Sequence, residues 1–285
     1  MKAYIGLDIG GTKIEGVLWR GKIMAAERIR TPRRRPEFLE AVQNLVARLS
    51  AKEKIAGIGV GTAGALDMKK GLVVNSPNLP FLSNLVLVRL IAKKFRAPVL
   101  MDNDTNCFLR GEMIFGLARG KRNVVALTLG TGVGGALLVE GNLVHGYHGG
   151  AGEVGHVILE TKNKFHSVED LFSSHAFDRY GAADPLDFQR RAQAGDRGAR
   201  KIYETMGKYL GVTLANMVNL FDPELIILGG GIARAGDLLL IPAKAEMKKH
   251  TILPRSYLPP IKISKLKYAA ALGAVSLFLS KKAPN

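Results

Sequence analysis

Twice in this chain an apolar strand runs into a glycine turn and straight out into a second apolar strand, the two copies lying about 120 residues apart. The first is "YIGLDIGGTKIEGVLW", Tyr4 to Trp19, and the second is "NVVALTLGTGVGGALLVEGNLVHG", beginning at Asn123. Either copy alone is satisfied by a β-hairpin whose glycines supply the positive φ of a tight turn. A turn without β-carbons also lets successive backbone N–H groups converge on an anion, with a small hydroxyl as a further donor. The repetition favours this second use. A duplicated strand–turn–strand unit predicts an α/β fold of two lobes with related topology and a cleft between them.

The flanking segments fit that division. Runs Ala3–Ile9, Ile14–Trp19 and Ile23–Ile29, separated by glycine turns, predict a three-stranded meander. Pro36 opens a stretch in which Phe38, Leu39, Val42, Leu45, Val46 and Leu49 recur at helical spacing. A buried strand at "IAGIGVGTAGAL", a helix at "VLVRLIAKKF" and a strand at "PVLMD" complete the first half. After the second copy come helices, a strand at "LIILGGG", another helix, a strand near Ile261–Leu266 and a last helix through "AAALGAVSLFLSKK". The small lobe is expected over residues 1–105 plus 269–285, and the large lobe over 106–268.

Composition narrows the class. The 285 residues are 47% hydrophobic and 23% charged, as in a globular chain with a sizeable core. The single cysteine, Cys107, excludes an internal disulfide and any multi-cysteine metal site. It is expected to be a small buried apolar residue. Asp8 and Thr12 interrupt any signal-type apolar core, and no segment reaches the ~18 apolar residues of a spanning helix. A cytoplasmic protein without membrane contact is expected. The net charge of +17 suits anionic small substrates such as nucleotides as well as nucleic acid. Its densest run, "ERIRTPRRRPE" from Glu27 to Glu37, has no interleaved aromatics to stack on bases and is expected to be a solvated loop.

Three glycine elements carry the candidate chemistry. "DIGGTK" offers Gly10, Gly11, Thr12 and Lys13 to a phosphate, with Asp8 placed to hold a water of a bound Mg²⁺. "LGTGVGG" offers Gly130, Thr131 and Gly132. "ILGGGIARAG" places Gly229, Gly230 and Gly231 between a strand and a helix, where a flat ring such as adenine can approach. The spacing is neither that of a P-loop nor that of a dinucleotide fingerprint.

In this order the motifs resemble those of the ROK family (repressors, open reading frames and sugar kinases), within the actin-like ATPase superfamily. The resemblance covers nearly the whole chain. "GLDIGGTKIEGVL" and "LTLGTGVGGALL" resemble the two phosphate motifs, and "IILGGGIARAG" the adenosine motif. "GIGVGTAGALD" and "AAALGAVSLF" resemble the connecting segments. "VNSPNLPFL", "MDNDTNC" and "GEVGHVILE" fall between them in family order, as the sugar-binding and catalytic region. The resemblance implies two actin-like (ribonuclease H-like) lobes and ATP-dependent phosphorylation of a sugar, with Mg²⁺.

It also implies roles. Asn103 and Asp104 bind the sugar, and Asp104 accepts the proton of the attacking hydroxyl. A carboxylate at a strand end can do so while staying ionised. Asp102 or Asp104 could instead cap the helix that follows, and Asp102 is expected to do just that. Glu153 and His156 are expected on sugar hydroxyls, with Asn78 as another contact and Glu169 near the anomeric end. Gly64 and Ala65 line the pocket through backbone.

The chain departs from the family between His156 and Glu169. Family members carry three cysteines there, which complete a tetrahedral zinc site with the histidine. Here "VILETKNKFHSV" has none, and His166 cannot replace three thiolates, so no structural zinc is expected. The loop is then held by packing, for example through Phe165 and Val168.

A hexokinase or glucokinase type acting at the 6-hydroxyl is expected, with an N-acetylhexosamine kinase or fructokinase as the alternatives. A homodimer is implied by resemblance alone. A sugar-responsive regulator is the rival from another class. It would need a helix-turn-helix domain before the first phosphate motif, and Asp8 lies close to the first residue of this sequence. A non-catalytic sensor is disfavoured by Asp8, Thr12, Thr131, Asp104 and Glu153 all being present.

Overall fold

The computed structural model describes residues 1–50, 53–161, 163–181 and 184–279. The chain divides into two units: Met1–Gly120, His145–Ala151 and the segment from Lys265 onward form unit 1, while Lys121–Val144 and Gly152–Ser264 form unit 2.

In unit 1 the meander is β1 (Ala3–Ile9), β2 (Lys13–Trp19) and β3 (Ile23–Arg30). Helix α1 (Arg35–Ser50) buries Phe38, Val42, Leu45, Val46 and Leu49, the face its spacing predicts. There follow β4 (Ile55–Thr62), a small hairpin of β5 (Ala65–Asp67) and β6 (Leu72–Asn75), α2 (Leu87–Phe95), β7 (Val99–Asn103) and α3 (Asp104–Phe115). The five-stranded sheet has the order β3-β2-β1-β4-β7. β1, β4 and β7 run parallel. The basic run is a loop only over residues 31–34, because Glu27–Arg30 complete β3 and Arg35 begins α1. Its charges are partly paired, Arg28 with the buried Glu15 and Glu27 with Arg48.

Unit 2 repeats the plan. β8 (Val124–Leu129), β9 (Val133–Val139) and β10 (Asn142–Leu143) form its meander. A separate hairpin of β11 (Ile158–Thr161) and β12 (Lys164–Ser167) leads into α4 (Val168–Phe172), α5 (Pro185–Gln193) and α6 (Arg197–Phe221). β13 (Leu225–Gly229), α7 (Asp237–His250) and β14 (Ile261–Ile263) complete it, in the sheet order β10-β9-β8-β13-β14. The last strand is shorter than the expected Ile261–Leu266; one further bond, from Ser264 N–H to Leu228 O (2.8 Å), extends its edge.

The chain then returns to unit 1 with α8 (Ala269–Ser276). Residues 280–285 of the expected terminal helix lie outside the described residues. One face of β4 presents Ile58 and Val60 to the core shared with α1 and α2. The other face presents alternate glycines. At Gly59 an added Cβ would overlap the backbone of Ala274, and at Gly273 it would overlap the carbonyl of Cys107. Helices α8 and α3 therefore rest on bare backbone and on each other. This packing puts residues 106–120 in unit 1, although the sequence divided the lobes after residue 105. Residues 145–151 also belong to unit 1.

A methyl at position 273 has nowhere to go without moving α3. Gly273→Ala is expected to lose more than about 3 kcal/mol of stability, to be read from urea unfolding midpoints at unchanged m-value.

Candidate active site

The candidate residues fall into two groups, one on each unit. In unit 1 the parallel register places Asp8, Gly61 and Asp102 in one row across β1, β4 and β7, with Ile9, Thr62 and Asn103 in the next. Gly61 is the gap in that row. A Cβ there would stand 3.1 Å from Cys107 Sγ and 3.5 Å from Asp104 Cα. Its absence lets the first turn of α3 approach the sheet beside Asp8. Cys107 is fully buried in that contact.

Asp104 opens α3, and its Oδ1 accepts from its neighbour Thr105 N–H at 2.8 Å. The cap is Asn103, whose Oδ1 accepts from Thr105 N–H (2.8 Å) and Asn106 N–H (3.3 Å). The capping role expected of Asp102 thus falls to Asn103. Asp102 is buried and accepts from Asn103 N–H, Asn106 Nδ2, Arg110 Nε and His145 Nε2. Burial raises its pKa, but the His145 hydrogen bond and the Arg110 charge outweigh it and hold the carboxyl below the usual range.

Asp8 has the opposite balance. Burial, then the charges of Asp104 and Glu15, push its carboxyl up to about 8 against the pull of Lys13. Asp8 thus has two acidic neighbours in electrostatic reach, Asp104 and Glu15, and its carboxylate oxygens are hard donors of the kind that fit Mg²⁺.

The turn after β1 closes as a hairpin, with Gly10 N–H donating to Lys13 O at 3.0 Å. That bond occupies the Gly10 donor, so an anion would meet Gly11, Thr12 and Lys13 instead. Thr12 and Lys13 are exposed, and Lys13 Nζ lies 2.9 Å from Glu15. A Cβ at Gly11 would stand 3.5 Å from Asn78 Cβ, so this turn and the Asn78 loop are neighbours. The loop of Gly64 and Ala65 is tied to the same stretch, since Ser76 Oγ donates to Ala63 O at 3.0 Å.

In unit 2 the turn after β8 closes in the same way, Gly130 N–H donating to Gly132 O at 2.9 Å. Gly229 pairs with Thr128 in the β13–β8 register, and a Cβ on Gly230 (φ 89°) would overlap the backbone of Leu129. The second phosphate turn and the triple glycine therefore lie side by side at strand ends. Added Cβ atoms at Gly130 and Gly231 would meet nothing within 4 Å. Open backbone of this kind fits phosphate and a flat base.

Glu153, Val154, Gly155 and His156 form a short turn, with Glu153 and His156 exposed. A Cβ on Gly155 would overlap the carbonyl of Val133, so the turn lies on the start of β9. Desolvation pushes the Glu153 carboxyl up, His156 pulls it down, and Glu169 pushes it up again. These three side chains are thus within electrostatic reach. Glu169 Oε2 accepts from Val133 N–H at 2.9 Å, which ties α4 to the exit of the second phosphate turn. Ser174 braces the same turn through Gly130 O and Thr131 O.

The segment before Glu169 is the β11–β12 hairpin. Val168 is fully buried, as expected, but Phe165 is 76% exposed and holds nothing in place. The work attributed to it is done by polar groups: the Ser167–Asp170 capping box, Arg179 with Asp170 (3.6 Å), and Arg179 with His166 (3.2 Å). Among the described residues no three His, Cys, Asp or Glu side chains gather as a metal cluster.

Sequence reasoning missed Gly61, Arg110 and His145. The alternating "GIGVG" of β4 signals close helix packing on one face; nothing local signals that His145 pairs with Asp102.

The Asp8 shift has a testable sign. Between its unfolded value near 3.8 and its folded value of about 8, the folded protein holds a proton that the unfolded chain has lost. Stability without ligand therefore falls as pH rises through that window. The melting advantage of Asp8→Asn over the wild type is expected to grow by at least about 3 °C from pH 5 to pH 8, without nucleotide or metal.

Comparison with known proteins identifies the family. The ROK family model matches residues 4–281. A glucokinase of Halalkalibacterium halodurans is 31% identical, with 88% of this chain aligned to 87% of that protein. An N-acetyl-D-glucosamine kinase of Pectobacterium atrosepticum is 29% identical, with coverages of 95% and 96%. The crystal structure of a ROK family glucokinase from Streptomyces griseus, in complex with glucose and AMPPNP, superposes with a TM-score of 0.85 at 26% identity, covering 96% of this chain and 98% of that one. Matched by the family model over nearly its whole length, the chain belongs to the ROK family.

Proposed function

We propose that this chain, an ATP-dependent sugar kinase, transfers the γ-phosphoryl group of ATP to the 6-hydroxyl of a hexose, with glucose the first candidate. The observation that carries the reading is Asp104. It is a carboxylate at a helix N-terminus and at the end of a parallel strand, beside Asn103 and within electrostatic reach of Asp8. Phosphoryl transfer asks the protein mainly for positioning and charge stabilisation, with a base at the attacking hydroxyl.

In this reading Asn103, Asn78 and the backbone of Gly64 and Ala65 orient the sugar, and Glu153, His156 and Glu169 hydrogen-bond its hydroxyls. Asp104 takes the proton of the 6-hydroxyl as that oxygen bonds to the γ-phosphorus and the bond to ADP breaks. Gly11, Thr12 and Lys13, with Gly130, Thr131 and Gly132, bind the phosphates, and Gly229, Gly230 and Gly231 receive the adenosine. Asp8 would hold Mg²⁺ through water, and the ion, when bound, supplies charge neutralisation at the phosphates. Glu169 already accepts from Val133 N–H, which leaves one carboxylate oxygen for a sugar hydroxyl. The homodimer and the cytoplasmic setting belong to the same reading.

The N-acetyl-D-glucosamine kinase relative, aligned over 95% of this chain, supports an N-acetylhexosamine as the second candidate substrate. Sugar-dependent ADP release from Mg-ATP separates the two, using glucose, mannose, fructose, glucosamine, N-acetylglucosamine and N-acetylmannosamine. Turnover is expected to be highest with glucose and to fall by about 10²–10⁴-fold in Asp104→Asn. Absence of stimulation by any of these sugars would overturn the kinase reading, and full activity in the variant would overturn the base.

A further inference from the structure

The Asp102 carboxylate is 1% exposed and takes four donors: Asn103 N–H (2.8 Å), Asn106 Nδ2 (3.0 Å), Arg110 Nε (3.0 Å) and His145 Nε2 (3.1 Å). Three of them come from the β7–α3 corner itself. His145 comes from the strap His145–Ala151, which enters unit 1 between two segments of unit 2.

We propose that His145 is a positioning residue: by pinning this strap to Asp102 it sets the affinity for sugar without taking part in the chemical step. The inference rests on the kinase reading. The strap has a second footing at Gly149, whose Cβ would stand 2.7 Å from Leu66 O in β5. It is closed on itself by Ala151 N–H donating to His145 O at 3.1 Å. It therefore spans from the strand end before Asn103 and Asp104 to the residue after Ala65, both proposed to face the sugar.

Among the described residues the strap makes no other hydrogen bond. It reads "HGYHGGA", and Tyr147 is 96% exposed, so that side chain is no apolar anchor. A hydrogen bond to a buried ionised carboxylate is among the stronger single bonds available to such a segment. Loss of His145 leaves Asp102 its other three donors, so α3 and Asp104 stay in place while the strap loosens. The effect then falls on ground-state binding of the sugar.

The test uses His145→Phe, which keeps a ring and removes the donor, and His145→Gln, which keeps a donor. The Phe variant is expected to raise the sugar KM about 10-fold, with kcat and the KM for ATP within about twofold of the wild type. The Gln variant is expected to stay within about threefold in all three. Should the phenyl ring prevent folding, His145→Ala is measured in its place against the same expectations. An unchanged sugar KM, equal effects of the two variants, or a loss confined to kcat would overturn the proposal. A wild type without sugar-dependent ADP release would instead overturn the kinase reading on which it rests.

Discussion

Unit 1 depends on helices that lie directly on sheet backbone. At Gly59 and Gly273 the contact is so close that a single methyl has no room. This approach brings the N-terminus of α3 down onto the row that holds Asp8. Interiors pack as densely as organic crystals, so such a contact fixes position to a fraction of an ångström. Asp104 inherits that precision, although nothing in its own tripeptide supplies it.

The same closeness creates an electrostatic cost. Asp8 sits within reach of Asp104 and Glu15, and its carboxyl is driven up to about 8. The free protein carries this as a stability that falls as pH rises from near 3.8 to about 8. A cation held beside Asp8 would offset that negative charge.

The two sheets share one plan, and both glycine turns close with an internal hydrogen bond. Hairpin and phosphate cradle are therefore not competing descriptions. The hairpin bond fixes the turn's shape, and the remaining backbone is what an anion can meet. In unit 2 the turn is also braced from behind by Glu169 and Ser174. The polar network of Ser167, Asp170, His166 and Arg179 holds the segment that carries Glu169.

The sequence by itself determined the elements and the local motifs. Spacing in residues 36–49 predicted the buried face of α1, and the duplicated strand–turn–strand predicted the repeated sheet plan, because hydrophobic periodicity and turn chemistry are local. The glycine turns and the Asn103-Asp104 pair were legible for the same reason. Only the tertiary structure decided that Asn103 and not Asp102 caps α3, that Phe165 faces solvent, and that α3 packs with α8. It also decided that His145, 43 positions away, completes the shell of Asp102. These outcomes turn on which distant groups compete for a buried carboxylate or a bare patch of sheet. That competition is settled by packing and desolvation once the chain is folded, and no local pattern encodes it.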